Sequence, residues 1–328
     1  MRYIVGDIGG TNIRLADAVW AGGHFELQHE RVIPSRDHDG LDEVLAEYAA
    51  RSRADSACLG VAGPVNDNVC RTTNLPWLLD GAALAKASGL RQVRLVNDLE
   101  AAAWGLDALE EDDYVVLHAG EPVARANQSV VAAGTGLGEA ARVWCGAGYR
   151  PLGSEGSHAD FAPATELDFS LLQWLANRYG AHVSWERVVS GPGLVDLHAF
   201  LREAGGRPVP RWLLQAMEEN DPAAAIATAA QGERDPVCIE ALDLFIRHFG
   251  REAGNHALKL MSLGGVYLTG GIAPKLSSRF AEAGFLDAFW DKGRMRELMR
   301  RMPVYLVVNE NLALYGAACC ARAAGLGR

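Results

Sequence analysis

Apolar residues along the chain keep two rhythms: short runs that stop at glycine, and longer stretches where they recur every three or four positions. Arg2-Tyr3-Ile4-Val5 is a short run opened by β-formers, and residues 13–19 alternate. That pattern predicts strands over 3–8 and 12–19, with a third over 25–33 completing a meander. Leu41, Val44, Leu45 and Tyr48 share one helical face, which predicts a helix over 41–53. Residues 57–62 read as a buried strand turned by Gly63-Pro64, and 69–72 as a shorter one leading to Asn74-Leu75-Pro76-Trp77. A strand over 91–96 runs into an alanine-rich helix over 99–109, with Asn97-Asp98 at their junction.

The acidic run Glu110-Glu111-Asp112-Asp113 predicts an exposed crossing into a second domain, where the scheme repeats. Strands are expected over 114–117, 129–133 and 137–143, and helices over much of 166–179, 193–203 and 223–230. Pro236 sits in the first turn of a long helix reaching about residue 261. Strands follow over 266–269 and 304–308, and a small-residue helix over 312–324 returns to the first domain. The expected division is 1–109 plus about 306–328 for a smaller domain and 110–305 for a larger one.

Three of the strand ends carry glycine clusters. Gly6-Asp7-Ile8-Gly9-Gly10-Thr11-Asn12 reads as strand, tight turn, strand. Adjacent glycines can take positive φ and uncover N–H groups for an anion; Thr11 adds a hydroxyl, and Asp7 a carboxylate able to hold a metal through water. A plain β-hairpin accounts for one such cluster equally well. A second copy, however, stands at Val130–Gly138, where Gly134-Thr135-Gly136 follows an apolar strand and residues 137–143 alternate. Two such hairpins suggest a duplicated α/β unit with a phosphate chain held between the halves. A third cluster, Gly264–Ile272, is a strand ending in Gly270-Gly271, suited to the approach of a flat ring.

This ordered set resembles the sugar kinase, Hsp70 and actin superfamily. Within it, Asn97-Asp98, the run Leu152–Phe161 (LGSEGSHADF) and the run Ser184–Leu194 (SWERVVSGPGL) resemble bacterial ATP-dependent glucokinases, the group outside the ROK sugar kinases. The resemblance spans nearly the whole chain, from Tyr3 to Tyr315-Gly316-Ala317. It implies an α/β fold of two domains, the actin-like ATPase (ribonuclease H-like) fold, with a duplicated sheet-and-helix core and an interdomain cleft. It also implies transfer of the ATP γ-phosphoryl group to the 6-hydroxyl of D-glucose, the entry step of glycolysis, with Mg²⁺ and a homodimer. By the same resemblance Asp98 is the catalytic proton acceptor, Asn97, Glu155, His158 and Glu186 hold sugar hydroxyls, and Thr73, Asn74 and Trp77 keep the spacing of a sugar-side loop. The nucleotide would lie on Gly6, Asp7, Ile8, Gly9, Gly10, Thr11, Gly134, Thr135, Gly136, Gly270 and Gly271, with the magnesium on Asp7 through water.

Residue chemistry leaves plainer readings beside these. Asp98 at a helix start is also what an N-cap looks like, and Glu186 could be an exposed glutamate of an N-terminal turn. Glu155, His158 and Asp160 form a polar loop that is costly unless it binds something polar, and Asp160 reads as a pin for that loop. Two positions depart from the family. Glu139 follows the second hairpin where a small apolar residue is expected, and Leu312 stands where proline is common.

Composition narrows the partners. The 328 residues are 49% hydrophobic and 22% charged, which fits a globular protein of two domains. A net charge of −10 argues against nucleic acid or an anionic membrane surface, so local N–H groups, arginines and Mg²⁺ must hold a nucleotide. Lysine is confined to Lys86, Lys259, Lys275 and Lys292, and no Walker-type phosphate loop occurs. The six cysteines show neither C-x-x-C nor framework spacing, which implies free thiols in a reducing cytoplasm; the start of the chain has no basic stretch or long apolar core, which implies no signal peptide, and the zinc-binding Cys/His cluster of the ROK sugar kinases is missing. A kinase for mannose, fructose or an N-acetyl amino sugar fits the same spacing. A sugar-sensing regulator would need a helix-turn-helix ahead of strand 1, and an Hsp70-like ATPase would lack the runs at 152–161 and 184–194.

Overall fold

The computed structural model describes residues 1–72 and 75–326 and divides into two units: Met1–Tyr114 with Gly148–Gly153 and Asn309–Arg328, and Val115–Ala147 with Ser154–Val308. Its first elements are strands β1 (Arg2–Ile8), β2 (Asn12–Ala21) and β3 (His24–Pro34), helix α1 (Asp42–Ala49), and strands β4 (Ser56–Val61), β5 (Val65–Asn66), β6 (Val69–Arg71) and β7 (Leu78–Asp80). Helix α2 (Gly81–Ser88), strand β8 (Gln92–Asn97) and helix α3 (Asp98–Gly105) follow. The main sheet runs β3-β2-β1-β4-β8, antiparallel through the meander and parallel from β1 to β8. Every residue of β4 is buried, which is why Ser56–Val61 reads as an unbroken apolar run and not an alternating one.

Alternation along β1 sends its side chains to two cores. Ile4 and Ile8 join Leu15, Leu45, Leu59 and Leu95 on the face covered by α1 and α2. Tyr3 and Val5 join Cys58, Val96 and the helix α3 on the other.

The second unit begins with β9 (Tyr114–His118), β10 (Gln128–Ala133) and β11 (Leu137–Trp144); β12 (Tyr149–Ser154) follows in the chain. Helices α4 (Glu166–Tyr179), α5 (Gly191–Ala204), α6 (Arg211–Glu219), α7 (Pro222–Gln231) and α8 (Pro236–Leu260) precede β13 (Val266–Thr269). Then come α9 (Ser277–Glu282), α10 (Phe285–Trp290), α11 (Arg296–Arg300), β14 (Val304–Val307) and α12 (Leu312–Ala323), the last belonging to the first unit. The strand order β11-β10-β13-β14-β9 contains an antiparallel hairpin followed by two parallel strands. The first unit has the same order in β2-β1-β4-β8, so the duplication read from the glycine hairpins is present in the topology. The acidic run forms a 3-10 turn over Glu111–Asp113, closed by a Glu110–Asp113 capping box.

Close backbone contact explains the small-residue helices. A Cβ on Gly316 of α12 would lie 1.7 Å from the Ala101 carbonyl oxygen, and one on Gly105 would lie 2.3 Å from that of Leu312. Leu312 thus starts α12 as a packing residue against α3. Where the pattern was weak, elements differ from expectation. Helix α1 stops at Ala49 and not near 53; α2, with Leu84 as its one buried leucine among alanines, carried no strong periodic signal, whereas α6 (Arg211–Glu219) is amphipathic and was not read from the sequence.

Candidate active site

The first hairpin joins β1 to β2 and is held from within. Gly9 N–H donates to the Asn12 carbonyl (2.9 Å), Ser35 Oγ donates to the Gly9 carbonyl (2.8 Å), and Ser35 N–H to the Thr11 carbonyl (2.9 Å). The Gly9 amide is therefore spent on the turn and is not available to an anion. None of Gly9, Gly10, Gly134 and Gly136 has φ in the left-handed region, so the expectation of positive-φ glycines at both hairpins is corrected. Gly6 faces the core, where a Cβ would lie 2.7 Å from Leu59 Cδ2, and the Ile8 side chain is buried in that core too. Asp7 pairs across the ladder with Arg14. Burial pushes its carboxyl above the ordinary value, and the Arg14 guanidinium only partly offsets this. Arg14 itself is bonded to Glu30 (2.6 Å) and to the Glu310 carbonyl (2.7 Å). A half-buried carboxylate with one arginine across the ladder suits a divalent cation that takes one or two carboxylates and completes its shell with water and phosphate.

The second hairpin, between β10 and β11, shows why its glycines are needed. A Cβ on Gly136 would lie 2.5 Å from Glu186 Oε2, and that oxygen accepts from Leu137 N–H at 3.0 Å. Gly134 N–H donates to the Gly136 carbonyl (2.8 Å) and Gly191 N–H to the Gly134 carbonyl (2.8 Å), so the start of α5 docks on the turn. Thr135 stays exposed at the tip. Close approach of a carboxylate, not a special φ, is the constraint at Gly136. Gly270 does have positive φ, +92°, and a Cβ there would lie 2.4 Å from the Ala133 carbonyl oxygen; Gly271 beside it has open space.

Asn97 and Asp98 sit where β8 ends and α3 begins. The N-cap is Asn97, whose Oδ1 accepts from Leu99 N–H (3.0 Å) and Glu100 N–H (3.2 Å), while its Nδ2 donates to the Gly63 carbonyl (3.2 Å). Asp98, half-buried in the first turn, accepts from its neighbour's amide Leu99 N–H at 2.8 Å. The capping that could have explained Asp98 belongs to Asn97.

In the second unit two loops are zipped together. Trp185 N–H donates to the Ala159 carbonyl (3.1 Å) and Phe161 N–H to the Val183 carbonyl (2.8 Å). Glu155 precedes a 3-10 turn over Gly156–His158, and both Glu155 and His158 are exposed with 3.8 Å between Oε2 and Nε2. Asp160 bonds His182 Nδ1 (3.0 Å), and His182 Nε2 bonds the His158 carbonyl (3.0 Å), so Asp160 pins the turn through a histidine that sequence spacing gave no means to find. Glu186, in the 3-10 turn after this ladder, is thereby brought to the second hairpin. Glu139 points inward, 1% exposed, with Oε2 3.1 Å from His256 Nδ1. Its charge is thus turned into the interior of the second unit. Asn74 and Thr73 lie outside the described residues; Trp77 is buried.

Among the described residues one triplet, His198, Asp235 and Cys238, has metal-ligand spacing. Its donors are already committed: Arg202 bonds Asp235 (2.6 Å) and His198 Nε2 (3.1 Å), and Asp235 caps α8. A guanidinium in the middle disfavours a cation there.

The family model described as glucokinase matches residues 4–324. A glucokinase of Nostoc punctiforme is 38% identical over 335 residues, covering 97% of this chain and 98% of that one. One of Synechocystis is 41% identical over 278 residues, covering 81% and 78%. The crystal structure of a glucokinase from an Antarctic psychrotroph superposes with a TM-score of 0.84 at 32% identity, covering 98% of this chain and 99% of that one.

Proposed function

The chain belongs to the glucokinase family, ATP-dependent hexose kinases that phosphorylate glucose, and from that premise we propose how its residues divide the reaction. Asp98 accepts the proton of the glucose 6-hydroxyl as its oxygen attacks the γ-phosphorus of ATP. The observation that carries this is that Asn97 caps α3, leaving the Asp98 carboxylate without that structural duty. A sugar hydroxyl is a poor nucleophile whose proton becomes acidic only as the new bond forms, so the carboxylate both aims it and takes the proton late. Asn97 offers the sugar its remaining Nδ2 hydrogen, since one is bonded to Gly63.

Glu155, His158 and Glu186 hold hydroxyls on the anomeric side of the ring, with Asn74 a further contact. A carboxylate accepts two vicinal hydroxyls at once, and the exposed, turn-held Glu155 and His158 are available to do so. The amides of Gly10 and Thr11 and the tip of the second hairpin, Thr135, face the phosphates, and the Gly270-Gly271 turn takes the adenosine. Asp7 would hold a magnesium ion through water, and the ion would supply positive charge to the phosphate oxygens. Asp7's raised carboxyl and its single cross-strand arginine support that assignment. We further propose a cytoplasmic homodimer without structural zinc; the free thiols Cys58, Cys70, Cys145, Cys238, Cys319 and Cys320 support a reducing compartment.

A coupled assay of ADP release over glucose, mannose, fructose and N-acetylglucosamine tests the substrate. Glucose is expected to give the highest kcat/KM, and a higher value for another hexose overturns the reading. Sedimentation equilibrium tests the dimer, which a monomeric mass at micromolar concentration rules out.

A further inference from the structure

Behind the Glu155–His158 turn lies a buried ionisable cluster that the phosphoryl transfer as described leaves unused. Glu139 on β11 and Glu252 on α8 are 1% and 0% exposed. His256, one helical turn beyond Glu252, donates its Nε2 hydrogen to the Ala140 carbonyl at 3.0 Å, so its Nδ1 faces Glu139 Oε2 across 3.1 Å. Asn255 Nδ2 donates to Glu252 Oε2 at 2.9 Å. That leaves Glu139 Oε1 and Glu252 Oε1, both buried, with no donor from the protein. Two buried carboxyl groups side by side cannot both be ionised without a large penalty, and one proton between them supplies the missing donor.

The same Glu139 carboxylate carries the turn. A Cβ on Gly156 would lie 2.3 Å from Glu139 Oε2 and 3.3 Å from its Cδ, so the oxygen that His256 holds is pressed against the Gly156 backbone. Gly156 separates Glu155 from the rest of the 3-10 turn that ends at His158. Any displacement of the Glu139 carboxylate therefore moves the two exposed side chains assigned to glucose.

We propose that Glu139, Glu252 and His256 are positioning residues for the glucose site: a proton-holding support that fixes the Glu155–His158 turn and makes glucose binding, but not ATP binding, weaken in alkali. This rests on the assignment of Glu155 and His158 to glucose. Burial first, and then the Glu139 charge, hold the Glu252 carboxyl protonated up to about 8. The other groups that face Glu252 are Lys259 on its own helix and Lys292 from the segment after α10, the last with Asp291 and Arg251 beside it, while His256 faces Glu139. Burial draws the Lys292 amine down to about 8, so its compensating charge is lost over the same range in which Glu252 ionises. Loss of the shared proton leaves two carboxylates in contact, and their repulsion acts on the Glu139 carboxylate that lies against Gly156.

The test is the pH profile of the Michaelis constants of full-length enzyme from about pH 6.5 to about pH 9.5. Wild type is expected to show a glucose KM that rises about fivefold or more across that range while the ATP KM moves less than about twofold. E252Q, which carries a permanent donor, and E139Q, which removes the second charge, should each flatten the glucose profile, with folding checked by melting temperature. A flat wild-type profile, or a rise that persists unchanged in both variants, overturns the proposal. E155A separates the premise from the inference. An unaltered glucose KM in E155A overturns the assignment of the turn to glucose, whereas a raised one with a flat wild-type profile overturns only the support.

Discussion

Replacing Asp98 by asparagine isolates proton acceptance from everything else the residue does. The cap of α3 is the Asn97 side chain, bonded to Leu99 N–H at 3.0 Å and Glu100 N–H at 3.2 Å, and it is untouched by the change. The Asp98 contact with Leu99 N–H, 2.8 Å, can be kept by the amide oxygen of asparagine. Loss of a negative charge from the first helical turn is worth about 0.3–1 kcal/mol. For a protein of this size that lowers the melting temperature by only a few degrees, about 2–4 °C per kcal/mol. A general base contributes about 10²–10⁴ in rate, and at about 1.4 kcal/mol per decade that is roughly 3–5 kcal/mol of barrier. D98N should therefore fold, bind glucose and ATP by calorimetry with nearly wild-type affinity, and turn over at least a hundredfold more slowly. N97A is the control with the opposite signature: loss of the cap costs about 0.5–2 kcal/mol, so its melting temperature falls further than that of D98N while kcat falls less. The reasoning fails if D98N keeps more than a tenth of wild-type kcat, or if its main effect is on melting temperature; Glu155 is then the next candidate base.

Two further outcomes follow from the hairpin and the buried carboxyl pair. Gly136→Ala places a methyl 2.5 Å from Glu186 Oε2, so the Glu186 carboxylate must leave Leu137 N–H; glucose and ATP KM should both rise several-fold, and unchanged constants in a folded variant would show that Glu186 has room to move. Glu252 stays protonated in the folded chain to about 8 while the unfolded chain ionises near 4.5, so folding retains a proton that unfolding releases. Stability contributed by this group accordingly declines as pH rises through that window, by up to about 1.4 kcal/mol per pH unit. The melting-temperature advantage of E252Q over wild type should grow between about pH 5.5 and about pH 7.5; a constant difference contradicts a raised Glu252.

The order of elements was legible because strand and helix periods are local. A helix was expected over much of residues 166–179, where α4 forms, and Pro236 marked the start of the long helix expected to reach about residue 261, which ends at Leu260. Helix α2 was not legible: its alanines and its single buried leucine, Leu84, carry almost no periodic contrast, and the Asp80 side chain that caps it looks like any loop aspartate. The residues of the two sugar-side runs were legible as a resemblance, but their supports were not. His182 is exposed and lies in no motif, yet it joins Asp160 to the His158 carbonyl. Glu252 and His256 did leave a trace, two polar residues at helical spacing inside an otherwise buried face of α8, which is the signal to read in similar chains.

The glycines make the same division sharper. Their positions were read from sequence, but freedom of φ, the reason assigned to the hairpin glycines, does not apply there, whereas Gly270, read as room for a flat ring, does have positive φ. At Gly136 and at Gly156 the missing side chain makes room for a carboxylate oxygen, Glu186 Oε2 at 2.5 Å and Glu139 Oε2 at 2.3 Å from where a Cβ would stand. Both carboxylates come from elsewhere in the chain, so neither contact could be inferred from the run in which the glycine sits. A glycine against a carboxylate is a steric lock: the carboxylate fixes the backbone only while it has its own partners, Leu137 N–H for Glu186 and His256 for Glu139. That ties the conformation of the phosphate hairpin to a residue assigned to the sugar, and the conformation of the sugar-side turn to a buried proton. Substitutions at Gly136 and Gly156 should accordingly be rescued in part by shortening the facing side chain, Glu186→Asp or Glu139→Asp, which a glycine required for φ would never permit. Absence of any rescue in folded double variants, read as recovery of glucose KM, would return the explanation to the backbone.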